Sequence, residues 1–129
     1  MPTAAPRVLV ADDEDDIRAL VGLAVRRAGC TVATEVADGT QALIAARTEP
    51  PDLAVLDVSM PGATGLEVCT ALRADPATAA VPVLLLSAGA TPEDVARGLA
   101  AGADAYLAKP FSVAGLVARV RELTAGATS

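Results

Sequence analysis

The stretch VLVADDEDD, Val8 to Asp16, runs a short apolar segment directly into five consecutive acids. The Val/Leu run reads as a strand, and the Ile17, Leu20, Val21, Ala24, Ala28 series behind it keeps the i, i+3, i+4 rhythm of a helix. The junction is therefore a β-to-α turn, and it carries a charge problem. Two carboxylates about 4 Å apart repel by roughly 4 kcal/mol at an effective dielectric of 20, so a chain that crowds them needs a compensating partner.

The same unit recurs outward from that stretch. Apolar runs at VLVA (8–11), TVATEV (31–36), LAVLD (53–57), VPVLLLS (81–87) and AYLA (105–108) alternate with helix-period segments. Runs without polar alternation suit strands covered on both faces, so five βα units around a parallel sheet are expected. The helix ends are signposted as well. Asp15 and Asp16 suit the cap and first turn of the first helix, with Gly29 as its stop, and Asp38 suits the cap of a second running to about residue 48. Thr64 with Glu67 forms a capping-box pattern for a third, and Thr91-Pro92 opens a fourth that Gly102 ends. Ser112 caps a fifth, with Phe111 and Leu116 placed as a hydrophobic staple and Val113, Val117 and Val120 continuing the buried stripe. No internal repeat or linker interrupts residues 7–124; residues 1–6 and 125–129 read as flexible tails, the second also as the start of a linker.

Composition narrows the function. A chain of 129 residues is one domain, and its 53% hydrophobic content is inflated by alanine, with no apolar run near the ~20 residues that cross a bilayer. MPTAAPR at the start lacks an apolar export region, so a cytoplasmic protein without membrane contact is expected. A net charge of −6 excludes direct nucleic-acid binding by this domain. Cys30 and Cys69 lack ligand-like spacing and read as small fillers. Histidine is absent, which excludes Ser-His-Asp and Cys-His catalysis and phosphohistidine chemistry within the chain. Carboxylates must carry any reaction.

In open α/β sheets, ligands sit beyond the carboxyl ends of the strands. Asp12 and Asp13 follow strand one, Asp57 ends strand three, Ser87 ends strand four, and Lys109, the single lysine, follows strand five. Tyr106, the single tyrosine, precedes Lys109 by three residues. Taken alone, each has a plainer reading: acids before a helix cap it, Asp57 to Gly62 is a strand-end turn, Lys-Pro is a loop and Tyr is packing. Their convergence on one edge from four strands points to a site. Three carboxylates form a hard oxygen site suited to Mg²⁺, which is typically held by one or two carboxylates together with phosphate oxygens. Phosphoryl transfer needs mainly positioning and positive charge, which Mg²⁺ and Lys109 would supply, and an aspartate can be the nucleophile.

With Asp12-Asp13, Asp57 in LDVSMPGATG, Ser87-Ala88 and GADAYLAKPF in this order and spacing, the chain resembles the CheY-like receiver domain of bacterial two-component response regulators across residues 7–124. The resemblance implies a flavodoxin-like (βα)₅ doubly wound α/β fold with a five-stranded parallel sheet of order 2-1-3-4-5. It implies that Asp57 is the phosphoacceptor, fed by a histidine kinase or a phosphotransfer protein. Asp13, Asp57 and the Ser59 carbonyl would ligate Mg²⁺, with Asp12 acting through water. Lys109 would pair with Asp57 and then with the phosphoryl oxygens, across a cis bond to Pro110. Ser87 and the Ala88 N–H would close on the phosphoryl group and Tyr106 would turn inward, remodelling the face of the fourth helix, fifth strand and fifth helix. That face would meet a downstream effector or form a phosphorylation-dependent homodimer. Such a domain is a signalling phosphoreceiver that assists its own phosphorylation and dephosphorylation rather than an enzyme with a separate substrate. No effector domain follows residue 124, so a stand-alone receiver or one cut from a longer regulator is expected.

Some positions depart from the commoner pattern. Ala105 replaces a second acid after Gly-Ala-Asp, although Asp104 and Arg119 could still pair in a dimer. Ser59 and Gly89 occupy positions that in this family tune dephosphorylation, and Glu14, near the metal rim, has no assigned task. Haloacid dehalogenase-like phosphatases need a second Asp two residues past the nucleophile, where Ser59 stands. A flavodoxin-type electron carrier would place its FMN phosphate against the five acids and be repelled. A degenerate receiver acting only as an interaction module lacks support from the intact Asp, Ser and Lys set.

Overall fold

The structure is a computed structural model that describes residues 4–128; residues 1–3 and 129 of the expected tails lie outside the described residues. Five parallel strands, β1 (Arg7–Ala11), β2 (Thr31–Val36), β3 (Leu53–Asp57), β4 (Val83–Ser87) and β5 (Ala105–Ala108), pair in the order β2-β1-β3-β4-β5. Between and after them lie α1 (Asp15–Arg27), α2 (Gly39–Thr48), α3 (Gly65–Ala74), α4 (Pro92–Ala100) and α5 (Val113–Thr124), and one 3₁₀ turn, Ala125–Thr128, follows α5.

The apolar runs explain the layering. Successive strand residues point to opposite faces, so an unbroken run feeds two cores at once. Val8 and Val10 of β1, Leu53 and Val55 of β3, and Leu84 and Leu86 of β4 pack with Val21, Ala24 and Val25 of α1 and Leu116 and Val120 of α5. Their alternates Leu9, Ala11, Ala54, Leu56, Val83 and Leu85 pack with Ala42 and Ala46 of α2 and Val68, Cys69 and Leu72 of α3. Phe111 joins Leu116 in the first core, as the staple requires.

Asp38 accepts from the Gln41 N–H at 2.7 Å, Ser112 accepts from Gly115, and Thr64 and Thr91 both form complete capping boxes, the second with Asp94. Gly29 and Gly102 close α1 and α4 at φ +84° and +106°, a backbone region that other residues rarely adopt. Two boundaries differ from expectation. Strand β4 begins at Val83 rather than Val81, because Pro82 has no N–H to give the ladder and contributes only its carbonyl, to Ala54 N at 2.9 Å. Helix α1 is capped at Glu14 rather than Asp15, and the Glu14 side chain makes no capping bond. Asp15 and Asp16 occupy its first turn, where the helix dipole favours them.

The order of the strands positions the site. The chain runs from β1 to β2 on one side and then crosses to β3 on the other, which makes the carboxyl ends of β1 and β3 the switch point. Ala11 pairs with Leu56, so Asp12 and Asp57 emerge level with each other. Asp57 pairs with Leu86, and Ser87 with Ala108, which brings Ser87 and Lys109 to the same edge.

Candidate functional site

Asp12 is fully buried and Asp57 is 3% exposed, whereas Asp13, Glu14 and Ser59 are open to solvent. Carboxylate oxygens of Asp12, Asp13, Glu14 and Asp57 all lie within 4.8 Å of one another. Lys109 reaches into this group. Its Nζ lies 3.0 Å from Asp12 Oδ2, 3.3 Å from Asp57 Oδ1 and 3.3 Å from Glu14 Oε1. The Lys109–Pro110 peptide bond is cis, and the Lys109 N–H donates to the Ser87 carbonyl at 2.7 Å.

The backbone around the acids is braced. Asp12 Oδ1 accepts from Glu14 N at 2.9 Å, and Arg18 reaches back from α1 to donate to the Asp12 carbonyl at 2.9 Å while pairing with Asp15 at 2.6 Å. Asp57 Oδ1 accepts from Ser59 N at 3.3 Å. Gly65 permits α3 to press against β3: a Cβ there would stand 2.4 Å from the Asp57 carbonyl oxygen. On the far side, Ser87 Oγ accepts from Gly89 N at 3.0 Å and Ala88 is exposed. The half-buried Tyr106 donates its hydroxyl to the Gly89 carbonyl. Tyr106 and Ser87 line a cavity of about 70 Å³ with Val58, Leu66, Asp94 and Arg97.

The electrostatics follow from this packing. Burial, then the neighbouring Asp12 charge, pushes the Asp57 carboxyl from its ordinary 3.8 up to about 6, against the opposing pull of Lys109 and the Ser59 N–H. Burial works against the charged form of Lys109, but the contact with Asp12, the Asp12 and Asp57 charges and the contact with Glu14 outweigh it and leave its pKa raised. Lys109 is thus a fixed cation. One ammonium does not balance four carboxylates, and among the described residues Asp12 Oδ2 has no hydrogen-bond partner, because the Lys109 Nζ beside it forms an ion pair without aligning a hydrogen bond. An all-oxygen donor set, an excess of negative charge and a buried orphan oxygen fit a small divalent cation such as Mg²⁺.

Asp12, Asp13, Asp57, Ser59, Ser87, Ala88, Tyr106, Lys109 and Pro110 therefore come to one edge of the sheet. Asp104 and Arg119 do not meet within the chain. Asp104 Oδ2 accepts from Arg73 at 2.9 Å and from Val83 N at 2.8 Å, while Arg119 pairs with Glu122 at 3.3 Å. Two features escape sequence reasoning: the Glu14–Lys109 pair and the Arg73 cluster, in which the guanidinium also donates to the carbonyls of Gly102, Ala79 and Val81. Both join residues far apart in the chain, and neither position carries a periodic signal. The Arg18–Asp15 pair joins i, i+3 neighbours on α1.

Comparison with known proteins places this geometry. The response regulator receiver domain family matches residues 8–121. Among curated proteins, the chain is 44% identical over 121 residues to the DNA-binding response regulator MtrA of Mycobacterium tuberculosis, covering 94% of this chain and 51% of that one. It is 50% identical over 119 residues to the transcriptional regulatory protein PrrA of the same organism, covering 92% and 50%. The chain spans about half the length of the curated relatives it matches. Among solved structures, a putative response regulator from Chloroflexus aurantiacus J-10-fl superposes with a TM-score of 0.87 at 36% identity, covering 94% of this chain and 98% of that one. The chemotaxis response regulator CheY4 of Vibrio cholerae does so with a TM-score of 0.86 at 34% identity, covering 93% and 99%.

Proposed function

Because the chain belongs to the response regulator receiver domain family of two-component signalling, we propose that Asp57 is its phosphoacceptor and that the site carries out Mg²⁺-assisted phosphoryl transfer to that residue. The observation that carries this is the Lys109 ammonium seated between Asp12 and Asp57, beside carboxylates that crowd an orphan buried oxygen.

Asp13, Asp57 and the Ser59 carbonyl would hold the metal, with Asp12 acting through water. When bound there, Mg²⁺ would supply positive charge that offsets the negative charge of the phosphoryl group. The chain's own residues do the rest. An Asp57 carboxylate oxygen forms the new O–P bond as the donor's N–P bond breaks, and the bonding pair returns to the donor imidazole nitrogen. That imidazole must belong to a partner, a histidine kinase or phosphotransfer protein, since this chain has no histidine. Lys109 then follows the charge onto the phosphoryl oxygens, and the Ser87 hydroxyl and Ala88 N–H supply further donors there.

The output is a population shift. Moving Ser87 and the β4–α4 loop toward the phosphoryl group disturbs the Gly89 carbonyl that Tyr106 now holds, and Tyr106 packs against Gly98 of α4. The α4–β5–α5 face then meets an effector or a second copy, and Leu99 stands 49% exposed on it. An Asp104–Arg119 contact between copies would require both residues to leave their present partners. The relatives' names, a DNA-binding response regulator and a transcriptional regulatory protein, support transcriptional control through a DNA-binding effector. Within the described residues, no helix is long and apolar enough to cross a membrane.

Acetyl phosphate with Mg²⁺ should add one base-labile phosphoryl group at Asp57, seen by intact-mass and peptide analysis, and Asp57→Asn should abolish it. Folded protein that neither accepts the group nor binds beryllofluoride would overturn this function.

A further inference from the structure

Glu14 sits at the cap of α1 yet gives its side chain to no N–H of that helix. Its Oε1 instead accepts from Lys109 at 3.3 Å, while Asp12 Oδ2, closer to the same nitrogen at 3.0 Å, is left without a hydrogen bond among the described residues. The site's single ammonium is thus held by a solvent-facing carboxylate at the rim as well as by the buried one beneath it. We propose that Glu14 is a positioning residue that tethers Lys109 in the resting state, and that the lysine must release it to settle on a phosphoryl group at Asp57. This rests on the phosphoreceiver reading above.

Two features suit a tether that opens and closes. An ammonium has three N–H groups, so a bond to Glu14 is one that phosphoryl oxygens do not receive. The Glu14 side chain is 62% exposed against 11% for Lys109, so water and salt screen the pair and its strength stays in the range that biases a population without locking it. Reach is essential. Glu14 spans from the start of α1 to the residue after β5, and aspartate there would keep the charge but fall about 1.5 Å short, one C–C bond.

The test compares wild type, Glu14→Gln and Glu14→Asp. Beryllofluoride affinity in saturating Mg²⁺, followed by backbone-amide NMR, reads the step without covalent chemistry, and urea unfolding reports stability. Both variants should bind beryllofluoride about two- to five-fold tighter, the size expected of a partly exposed ion pair. Initial labelling by acetyl phosphate, in which an Asp57 oxygen gains the phosphorus as acetate departs with the bonding pair of the broken P–O bond, should rise by a similar factor. Tighter binding in Gln alone, with Asp like wild type, would assign the effect to charge and overturn the tether. Unchanged or weaker binding in both would overturn it too. Folded wild type that binds no beryllofluoride would instead sink the phosphoreceiver reading itself.

Discussion

The Lys109 ammonium stands 3.0 Å from Asp12 and 3.3 Å from Asp57, closer to the fully buried carboxylate than to its neighbour at the end of β3. The lysine is therefore first of all a counter-ion to the buried Asp12. Replacing Lys109 with Ala leaves two buried acids facing each other. In chelator, that variant should lose about 3 kcal/mol of unfolding free energy, the cost of breaking a buried pair, and Mg²⁺ should restore much of it. Urea denaturation with and without the metal measures both, and an unchanged chelator midpoint would show that the pairing adds no stability.

Asp57 should destabilise the metal-free fold at neutral pH. Its folded pKa of about 6 lies above the ordinary 3.8, so the fold binds a proton more tightly than the unfolded chain does. That gain is complete below pH 3.8, is lost as pH rises through about 6, and above that leaves the full cost of the charge, on the order of 2–3 kcal/mol for a shift of this size. Asp57→Asn should therefore exceed wild type in stability at pH 7 in chelator, with the advantage shrinking toward pH 4. An advantage independent of pH would contradict the raised pKa.

Asp13 faces solvent and takes no part in the Lys109 contacts, so its charge is free for a cation. Asp13→Asn should weaken Mg²⁺ binding by about tenfold or more while leaving apo stability within about 0.5 kcal/mol of wild type. Calorimetric titration reads the first quantity and thermal unfolding the second.

Gly65→Ala drives a methyl group to 2.4 Å from the Asp57 carbonyl. Overpacking of this kind costs about 1–3 kcal/mol, and here the displaced backbone carries the Asp57 carboxylate, the proposed phosphoacceptor. Lower stability should come with slower Asp57 labelling even at temperatures where the variant is fully folded. Labelling at the wild-type rate would show that the site tolerates the shift.

Far from the site, Arg73 ties α3 to the carbonyls of Ala79, Val81 and Gly102 and to Asp104. Arg73→Ala should cost about 2–4 kcal/mol, since several charge-assisted bonds go at once and Asp104 loses its cation. Arg73→Lys should recover only part of this, because one ammonium cannot reproduce the planar fork. Equal stabilities for Lys and Arg would argue that charge alone holds the cluster.

Much of the fold is legible in the sequence because its signals are local. Asp38, Thr64, Thr91 and Ser112 cap the helices expected of them, since a cap needs only its own next three residues. Pro82 shortened β4 through its missing N–H, a local effect that the apolar run masked. Glu14 is harder. The sequence places it near the metal rim without assigning it a task, and only the fold turns its side chain to Lys109, 95 residues away.

The sequence by itself determined the βα alternation, the two-faced burial of the strands and the edge to which Asp12, Asp13, Asp57, Ser87 and Lys109 belong, because strand and helix periods are properties of neighbouring residues. Only the tertiary structure decided which acids share the lysine, that burial beside Asp12 raises the Asp57 pKa to about 6, and that Asp104 is held by Arg73 rather than left for Arg119. Those outcomes depend on distances of about 3 Å between side chains from separate strands and helices, and on how much water the packing removes from around them. The five acids of Val8 to Asp16 show the division most clearly. Their crowding announced a missing positive charge, and the fold delivered one part of it as Lys109, shared among Asp12, Glu14 and Asp57.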